Sequence, residues 1–412
     1  MYDTIIVGGG ISGLYTYMKL LDKGVKNILL LEQEDYFGGR IKQINKEVLS
    51  NKYSFPAGGA RFNKNHTKVI KLLKRFNLID FRTDKGFGAE IEFMDVKNEF
   101  REKYNNKKGF DFIQKVIDKS KMENEQILRD IRFSDLAYKY LSKEDCDFMF
   151  VSCGYSGQLL NMNAYDAIKL FSTGIRTDIT YWGGKFDKLI VSLVDYIKRH
   201  GGKLLLNKCV KNIDYNNKQN VFQIRYNNED TFCRKLILCL PKQALMKFSY
   251  LKPISCILEH SITCKPLCRT YAIFKKKDIW FKDLKQKIVT NNELRYIIPM
   301  NADTGLIMIS YTDSNYTKYW KNIMNNKKKL KTSVVQLIYE TFQIQVNEPY
   351  DVTVCYWDCG VGYWNFGVNS DLISNFLLNP LPNLYICGEN YSQNQSWVEG
   401  ALESVDKCMK KN

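Results

Sequence analysis

The alternation of apolar and polar residues at the start of the chain predicts a strand, a helix and a second strand. The apolar run Thr4 to Val7 is typical of a buried strand. The apolar side chains after it recur at the spacing of one helical face, namely Leu14, Tyr17, Met18 and Leu21. Gly24 ends that helix, and a second apolar run at residues 28–31 predicts the next strand. This order predicts a βαβ unit.

Similar patterns return later in the chain. One helix is predicted to end at Gly201, on an apolar stripe formed by Phe186, Leu189, Ile190, Leu193 and Ile197. Further strands are predicted at residues 203–207, at residues 234–241 and from Leu384. Residues 63–181 have mainly helical spacing with a strand-like interlude at 86–100, whereas residues 256–354 are richer in strands. No internal repeat or long linker separates these stretches, which favours interleaved rather than tandem domains.

The first predicted strand runs into a glycine-rich turn. Gly8, Gly10 and Gly13 have G-x-G-x-x-G spacing, and the second strand ends in Glu32. Glycine turns are common, but here strand, turn, helix, strand and acid follow in the order that dinucleotide-binding proteins require. The helix N-terminus offers free N–H groups to a pyrophosphate, and the acid accepts hydrogen bonds from a ribose. The pattern therefore predicts dinucleotide binding.

Two further segments resemble a known family when they are taken together with that turn. "EDYFGGRI" places Gly39 and Arg40 in a second glycine-rich loop. "LYICGENYSQNQSWVEGALES" runs from an apolar strand through Gly388 and Glu389 into a helix that starts near Val398. These segments resemble the flavin amine oxidase family, and the resemblance extends over about the whole chain.

The resemblance implies an α/β fold in which a Rossmann-like FAD-binding domain of the GR2 type is interleaved with an α+β substrate-binding domain. The implied FAD-binding domain comprises residues 1–62, 182–255 and 355–412, and the implied substrate-binding domain comprises residues 63–181 and 256–354. FAD is expected to be noncovalent, because Gly362 stands where some monoamine oxidases attach their flavin to cysteine. The implied cofactor-binding residues are Gly8, Gly10, Ser12, Gly13, Glu32, Gly39, Arg40, Gly59, Ala60, Arg61, Val210, Gly388, Glu389, Trp397 and Val398.

Arg61 follows directly on a Gly-Gly-Ala turn in the segment "YSFPAGGARF". On its own, such an arginine indicates a solvated side chain after a turn. The segment resembles L-amino-acid oxidases and bacterial amino-acid monooxygenases, in which an arginine at this place binds the substrate carboxylate, although Ala60 replaces their methionine. A guanidinium suits that role because its rigid fork binds a carboxylate at two points. A flavin contact, a structural ion pair and a surface position remain as alternatives.

Three more residues are candidates for catalysis by the same resemblance. Tyr363 and Trp397 match the aromatic pair that flanks the substrate amine in amine oxidases, and core packing is the alternative for both. Arg269 stands where the family usually has a lysine that assists the reaction with O2. An arginine keeps the charge but is not a proton shuttle, so slow peroxide production or another electron acceptor is expected. Tyr296 is a candidate for the tyrosine beside the carboxylate.

The resemblance implies oxidation of the C–N bond of an amine. A hydride equivalent passes from Cα to flavin N5, water hydrolyses the imine, and O2 reoxidises the flavin to give hydrogen peroxide. We expect an L-amino acid as the substrate because of Arg61. Two alternatives stay open, a polyamine or monoamine oxidase and an FAD-binding scaffold with little oxidase activity.

Composition constrains the partners less than the motifs do. The 412 residues carry a net charge of +17, but the lysines are dispersed, which favours a solvated surface over a nucleic-acid or membrane contact. A small-molecule substrate and O2 are the expected partners, and the sequence does not indicate the oligomeric state. No apolar run approaches the roughly 20 residues of a membrane span, and a strand begins by residue 2. We therefore expect an intracellular, cytoplasmic protein without a signal peptide.

Cysteines and histidines do not predict a metal site. The 12 cysteines are scattered without a C-x-x-C pair, so we expect mostly reduced, buried thiols. Two pairs share a four-residue spacing, Cys264 with Cys268 and Cys355 with Cys359, and we expect packing there. The 3 histidines lie far apart in the sequence, which offers little to a zinc site or a Ser-His-Asp triad.

Overall fold

The structure, a computed structural model, describes residues 1–83, 91–100, 103–175 and 179–411. The strands of this part are β1 (Tyr2–Val7), β2 (Ile28–Leu31), β3 (Gln43–Val48), β4 (Asn51–Pro56), β5 (Arg61–Asn63), β6 (Ile91–Met94), β7 (Tyr181–Gly183), β8 (Lys203–Leu205), β9 (Val210–Asn216), β10 (Val221–Tyr226), β11 (Glu229–Leu238), β12 (Ile262–Ile273), β13 (Lys287–Thr290), β14 (Tyr296–Asn301), β15 (Leu306–Asp313), β16 (Asp351–Trp364) and β17 (Leu384–Ile386).

The α-helices of the same part are α1 (Ile11–Asp22), α2 (Thr67–Arg75), α3 (Gly109–Lys119), α4 (Glu125–Asp130), α5 (Phe133–Tyr140), α6 (Lys143–Ser152), α7 (Gly157–Asn161), α8 (Ala164–Thr173), α9 (Phe186–Arg199), α10 (Lys242–Leu245), α11 (Lys252–Ser261), α12 (Thr317–Ile323), α13 (Lys327–Phe342), α14 (Ser370–Leu377) and α15 (Val398–Lys411).

The larger sheet has seven strands in the order β8-β2-β1-β11-β10-β9, and β17 also pairs with β11. Its centre is parallel, since β1 lies between β2 and β11 and runs in the same direction as both. All four residues of β2 are buried, as expected for a parallel strand that is covered on both faces. The carboxyl ends of β1 and β2 lie at one edge, so the glycine turn and Glu32 meet there.

Helices α1, α9 and α15 share a hydrophobic core with one face of this sheet. The apolar stripe predicted for the helix before Gly201 is buried in α9, and each of its residues is at most 6% exposed. The opposite face of the sheet packs against α11 and α14 through a second core. The helix–strand order predicted for the start and the end of the chain is confirmed by these elements.

The smaller sheet has six strands in the order β16-β12-β15-β14-β13-β6. Its longest pair, β12 and β16, is antiparallel and changes register between Lys265 and Leu267. Helices α3 to α8 pack in a separate core that also contains Val361 and Tyr363 of β16. The helical character predicted for residues 63–181 is confirmed in the described part. Within the predicted interlude at 86–100, β6 forms, and residues 86–90 lie outside the described residues. The proposed domain boundaries stay a prediction.

One cysteine prediction is wrong. Cys264 and Cys359, which we expected to pack as thiols, form a disulfide with Cα atoms 5.1 Å apart. The cause is the register of the antiparallel pair β12 and β16, because Cys264 faces Gly362 and the shift that follows brings Cys359 beside it. Ten other cysteines are free, and most of them are buried.

Within the described residues, no three His, Cys, Asp or Glu side chains come together in a group that could hold a metal ion. The helices of the same ranges are too short or too polar to cross a membrane.

Candidate active site

The glycine turn between β1 and α1 is built for close backbone contact. A Cβ at Gly13 would lie 1.9 Å from the carbonyl oxygen of Gly8, so only glycine fits there. Gly10 is different, because the nearest atom to a Cβ at that position is 3.9 Å away. The space in front of Gly10 is therefore open to a ligand that approaches the backbone.

Helix α1 begins without a side-chain cap. Gly10 is its N-cap residue, and the first turn holds no acidic residue. The first N–H groups of a helix lack partners within the helix and carry partial positive charge, so they suit a pyrophosphate. Glu32 lies beside this turn and accepts a hydrogen bond from the Gly9 amide at 2.6 Å and from the Glu34 amide at 2.9 Å. Burial raises the pKa of Glu32.

Arg40 and Glu389 join the second glycine-rich loop to the segment after β17. Nη1 of Arg40 donates to a Glu389 carboxylate oxygen at 2.9 Å and to the Gly360 carbonyl at 2.8 Å. The other Glu389 oxygen accepts from the amides of Gly362 and Ser396 at 3.2 and 2.6 Å. Charge-assisted bonds of this kind hold three separate chain segments in one arrangement beside the glycine turn.

A cavity of about 780 Å³ extends from the glycine turn to residues of the smaller sheet. Among the residues of that lining are the following predicted ones: Gly8, Gly10, Ser12, Glu32, Gly39, Arg40, Gly59, Ala60, Arg61, Val210, Arg269, Tyr363, Gly388, Glu389, Trp397 and Val398. Gly13 does not line the cavity, because it packs against Gly8. The structure thus brings the predicted residues together, and their individual roles stay predictions.

Arg61 reaches this cavity because of the turn and the strand around it. A Cβ at Gly58 would lie 1.9 Å from the Arg40 carbonyl oxygen, so the turn packs directly on the second glycine-rich loop. Successive side chains of a strand point to opposite faces. Phe62 of β5 is fully buried in the core beside the larger sheet, which directs Arg61 to the cavity side. Within the described part of the chain, no carboxylate forms an ion pair with Arg61.

Tyr363 and Trp397 also present polar atoms without a partner. The Tyr363 hydroxyl and the Trp397 indole N–H are buried, and neither has a hydrogen-bond partner among the described residues. Trp397 stacks nearly parallel to Tyr181, with ring centroids 6.2 Å apart, and His66 packs on it at 4.6 Å. Burial lowers the pKa of His66 to about 4, so this ring is neutral at physiological pH.

These features fit FAD. The uncapped helix α1 and the open approach at Gly10 suit the pyrophosphate, and Glu32 suits the ribose. A model of flavin-containing amine oxidoreductases matches residues 11–405. The chain belongs to this family. FAD is its cofactor, as the glycine pattern and the second loop predicted.

Comparisons with individual proteins agree with this family. The chain is similar to tryptophan 2-monooxygenase of Pseudomonas savastanoi, with 37% identity over 73 residues, which are 18% of this chain and 13% of that protein. It is also similar to amine oxidase A of Equus caballus, with 35% identity over 84 residues, or 20% of this chain and 15% of the oxidase. These matches thus span a small part of the relatives' length.

A solved structure covers much more of the chain. A redesigned putrescine oxidase superposes with a TM-score of 0.77 and 14% identity, over 99% of this chain and 98% of that chain. At this identity the likeness concerns the fold alone. It confirms the predicted α/β class, with a Rossmann-like FAD-binding domain and a substrate-binding domain.

Arg269 occupies an enclosed position in this member of the family. Its side chain is buried on β12, and the guanidinium carbon lies 4.9 Å from the centroid of the Tyr311 ring. Nη1 donates to the Pro56 carbonyl at 3.4 Å, whereas Nε has no partner in the described part of the chain. Arg269 therefore contributes a desolvated positive charge to the cavity wall.

Sequence reasoning missed many residues of the cavity wall, among them Tyr155, Lys287 and Asp313. Burial raises the pKa of Tyr155, and the nearby Arg61 guanidinium opposes that rise. Asp313 accepts hydrogen bonds from the Ser156 hydroxyl and the Gly157 amide at 2.8 and 2.7 Å. Only the "GYSG" turn around Tyr155 offered a local signal, since the other two lie in ordinary strand sequence.

The candidate Tyr296 is not free to bind a substrate carboxylate. Its hydroxyl donates to the Cys153 carbonyl at 2.8 Å, and its ring is buried. Tyr155 packs its ring on Tyr296, with centroids 4.8 Å apart, and the Arg61 guanidinium opposes the rise that burial causes in the pKa of the Tyr155 hydroxyl.

Proposed function

We propose that this protein uses FAD to oxidise the C–N bond of an L-amino acid. The observation that carries the proposal is the position of Arg61, which lines the cavity between Tyr155 and Lys287 without a described carboxylate as ion-pair partner. A half-buried guanidinium in that state favours a ligand carboxylate, because an unpaired charge is costly to desolvate further. The similarity to a tryptophan 2-monooxygenase adds support, since the name of that protein places an amino acid in its site.

In this proposal, the cavity residues orient the substrate and desolvate its amine. Arg61 binds the α-carboxylate through two hydrogen bonds and so fixes the orientation of the Cα–H bond. Tyr363 and Trp397 flank the amine, where desolvation favours its neutral form. FAD, when bound, supplies the two-electron acceptor. Loss of a hydride equivalent from Cα leaves an imine, which water hydrolyses to a keto acid and ammonia, and O2 is the proposed final acceptor.

Substitution of Arg61 tests this proposal. Arg61→Ala should reduce kcat/KM for L-amino acids by at least about 100-fold, because two charge-assisted hydrogen bonds of about 1.5 kcal/mol or more are lost. Arg61→Lys should give a kcat/KM between those of the wild-type protein and Arg61→Ala, since lysine keeps the charge but not the fork. The measurement is the rate at which each amino acid, and its decarboxylated amine, bleaches the flavin without O2. The rate with the amine should be the same in the variants as in the wild-type protein. Arg234→Ala is the control, because that side chain is 66% exposed.

The same measurement separates the alternatives. If the wild-type protein prefers the decarboxylated amines, and Arg61→Ala retains full activity, the protein is a monoamine or polyamine oxidase. If no amine or amino acid bleaches the flavin, the protein binds FAD without oxidase activity. Because a putrescine oxidase is among the similar structures, the substrate panel includes putrescine as a test of the first alternative.

A further inference from the structure

Asp313 is a buried carboxylate in the wall of the cavity, and the proposed reaction does not use it. It is the last residue of β15 and is 3% exposed. The Ser156 hydroxyl and the amides of Ser156 and Gly157 donate to it at 2.8, 3.2 and 2.7 Å. Within the described residues, no arginine or lysine forms an ion pair with Asp313. The hydrogen bonds therefore hold the carboxylate in place and leave its charge without an adjacent counterion.

The other carboxylates of the cavity wall have different surroundings, and they are Glu32, Glu34, Asp358 and Glu389. The first two lie beside the glycine turn at the end of β2. Glu389 forms an ion pair with Arg40, and the exposed Asp358 forms one with Lys321 at 3.0 Å. Among the described carboxylates of the wall, Asp313 is thus the one that is left for a substrate.

Asp313 lies beside the Tyr363 hydroxyl. A Cβ at Gly157 would lie 2.3 Å from the Tyr363 hydroxyl oxygen and 2.8 Å from an Asp313 carboxylate oxygen, so both groups border the same glycine. The Tyr363 hydroxyl is buried and has no hydrogen-bond partner among the described residues. Tyr363 is one of the two aromatic residues that we propose to flank the substrate amine. The Asp313 carboxylate is therefore on the amine side of the site.

An amino acid is a zwitterion, and the cavity offers an opposite charge to each of its ends. Tyr311 lies two residues before Asp313, on the same face of β15. The Tyr311 ring contacts the Tyr155 ring, with centroids 5.8 Å apart, and the Arg61 guanidinium acts on the Tyr155 hydroxyl. Two contacting rings thus connect the proposed carboxylate anchor to Asp313, which suits a ligand that carries both charges.

We propose that Asp313 binds the α-ammonium group of the substrate and takes a proton from it. An N–H bond of the ammonium breaks and the proton moves to a carboxylate oxygen, which leaves a neutral amine and a neutral Asp313. No electrons are transferred in this step. The freed lone pair then supports loss of the hydride equivalent from Cα, and Asp313 releases its proton to solvent before the next turnover. This inference rests on the proposed function and assigns the base that the reaction needs.

The surroundings of Asp313 suit a base. Burial raises the pKa of its carboxyl group, whereas the hydrogen bonds from the turn before α7 and the charge of Arg295, just ahead of β14, oppose the rise. A carboxylate with a raised pKa is a stronger proton acceptor. Tyr363 on β16 and Tyr155 in the turn do not compete for the proton as bases, because burial raises the pKa of both hydroxyls and keeps them neutral.

The pH dependence of flavin reduction tests the inference. With saturating amino acid and without O2, Asp313→Asn should reduce the flavin on the order of 100-fold more slowly than the wild-type protein at neutral pH. The rate of the variant should rise about tenfold per pH unit up to the pKa of the substrate ammonium, because only the neutral amine reacts. The wild-type rate should change little over that range. Asp303→Asn, in the exposed turn before β15, is the control and should behave as the wild-type protein does.

A binding measurement gives a readout that does not depend on turnover. α-Aminoisobutyrate has no Cα–H bond to lose, and isobutyrate has the same carbon skeleton without the ammonium group. In calorimetry at neutral pH, the FAD-loaded wild-type protein should bind α-aminoisobutyrate at least about 10-fold more tightly than isobutyrate, because only the former donates a charge-assisted hydrogen bond to Asp313. Asp313→Asn should remove that preference.

Asparagine keeps one oxygen for the Ser156 and Gly157 donors, so a purely structural role of Asp313 predicts a different result. If Asp313→Asn is slower than the wild-type protein by the same factor at every pH, the inference is wrong. It is also wrong if the variant reduces the flavin at the wild-type rate, or if the wild-type protein binds the two acids equally, and in these cases the proposed function stands. If no amino acid bleaches the flavin of the wild-type protein, the proposed function itself fails.

Discussion

At the scale of single residues, the glycine turn separates a packing requirement from a binding requirement. Gly13→Ala places a Cβ 1.9 Å from the Gly8 carbonyl oxygen, so the apoprotein should lose about 1–3 kcal/mol of unfolding free energy. Gly10→Ala has room, with φ at −70° and the nearest atom 3.9 Å away, so stability should hold while FAD affinity falls. Denaturant unfolding of the apoprotein and fluorescence titration with FAD measure the two effects. Equal loss of stability in both variants would contradict this account.

His66 provides a pH-dependent contribution to stability. Its folded pKa of about 4 lies below the ordinary value of 6.5, because burial disfavours the imidazolium. The unfolded chain therefore binds this proton first as the pH falls. The stability that comes from neutral His66 is complete above pH 6.5 and is lost between pH 6.5 and 4, by up to about 3 kcal/mol in total.

His66→Asn should reduce that pH dependence. Asparagine can keep the acceptor that His66 Nδ1 offers to the Asn63 amide, but it does not titrate. The difference in unfolding free energy between the two proteins should therefore vary over this pH range and be constant above it. NMR titration is a direct check, because the chain has only 3 histidines. A His66 resonance that titrates near its ordinary value would refute the buried, neutral assignment.

At the scale of elements, α15 supplies the cap that α2 lacks. Helix α2 has no acidic residue in its first turn and no capping side chain of its own. The Glu399 carboxylate of α15 accepts instead from the amides of Lys68 and Val69, each at 2.9 Å. The two helices are thus joined at the segment that carries His66 and supports Trp397.

Glu399→Ala should lower the unfolding free energy by about 1–2 kcal/mol, the usual effect of losing an N-terminal cap, with a larger effect than Glu399→Gln. The glutamine keeps one acceptor oxygen but not the charge. Lys407→Ala on the exposed side of α15 is the matched control and should change little. Chemical denaturation of the three variants measures this order. The role of Glu399 as a cap would be disproved if alanine and glutamine were equally tolerated.

Strand alternation explains how elements orient the candidate catalytic residues. In β5, Phe62 enters the core and Arg61 faces the cavity. In β16, the Trp364 side chain enters the core on the other face of the larger sheet, and its neighbour Tyr363 lines the cavity. In each case a buried aromatic residue fixes the register, so a shift by one residue would turn the polar neighbour away from the cavity.

At the scale of the whole molecule, the cavity needs both sheets. The glycine turn and Glu32 come from the larger sheet, whereas Arg269, Lys287 and Asp313 come from strands of the smaller one. The chain crosses between the sheets several times, as the pattern of interleaved segments predicted. Neither sheet would form this cavity on its own, because Arg269 and Lys287 lie on the smaller sheet and the glycine turn lies on the larger one.

The sequence by itself determined the local and periodic features of this protein. The buried strands, the stripe of α9 and the glycine turn follow from short-range spacing. The resemblance of the second loop and the closing segment to the flavin amine oxidase family predicted FAD. These features are readable because neighbouring residues in the chain produce them. Arg61 was also a candidate site residue, although the sequence did not predict which residues surround it.

Only the tertiary structure decided which residues line the cavity around Arg61. Lys287 and Tyr155 lie far apart in the chain and meet beside Arg61 through the packing of β13, the turn before α7 and β5. The disulfide between Cys264 and Cys359 likewise depends on the register of β12 and β16 over a separation of 95 residues. Such contacts carry no periodic signal, because their energy comes from the pairing of elements rather than from the sequence around each residue.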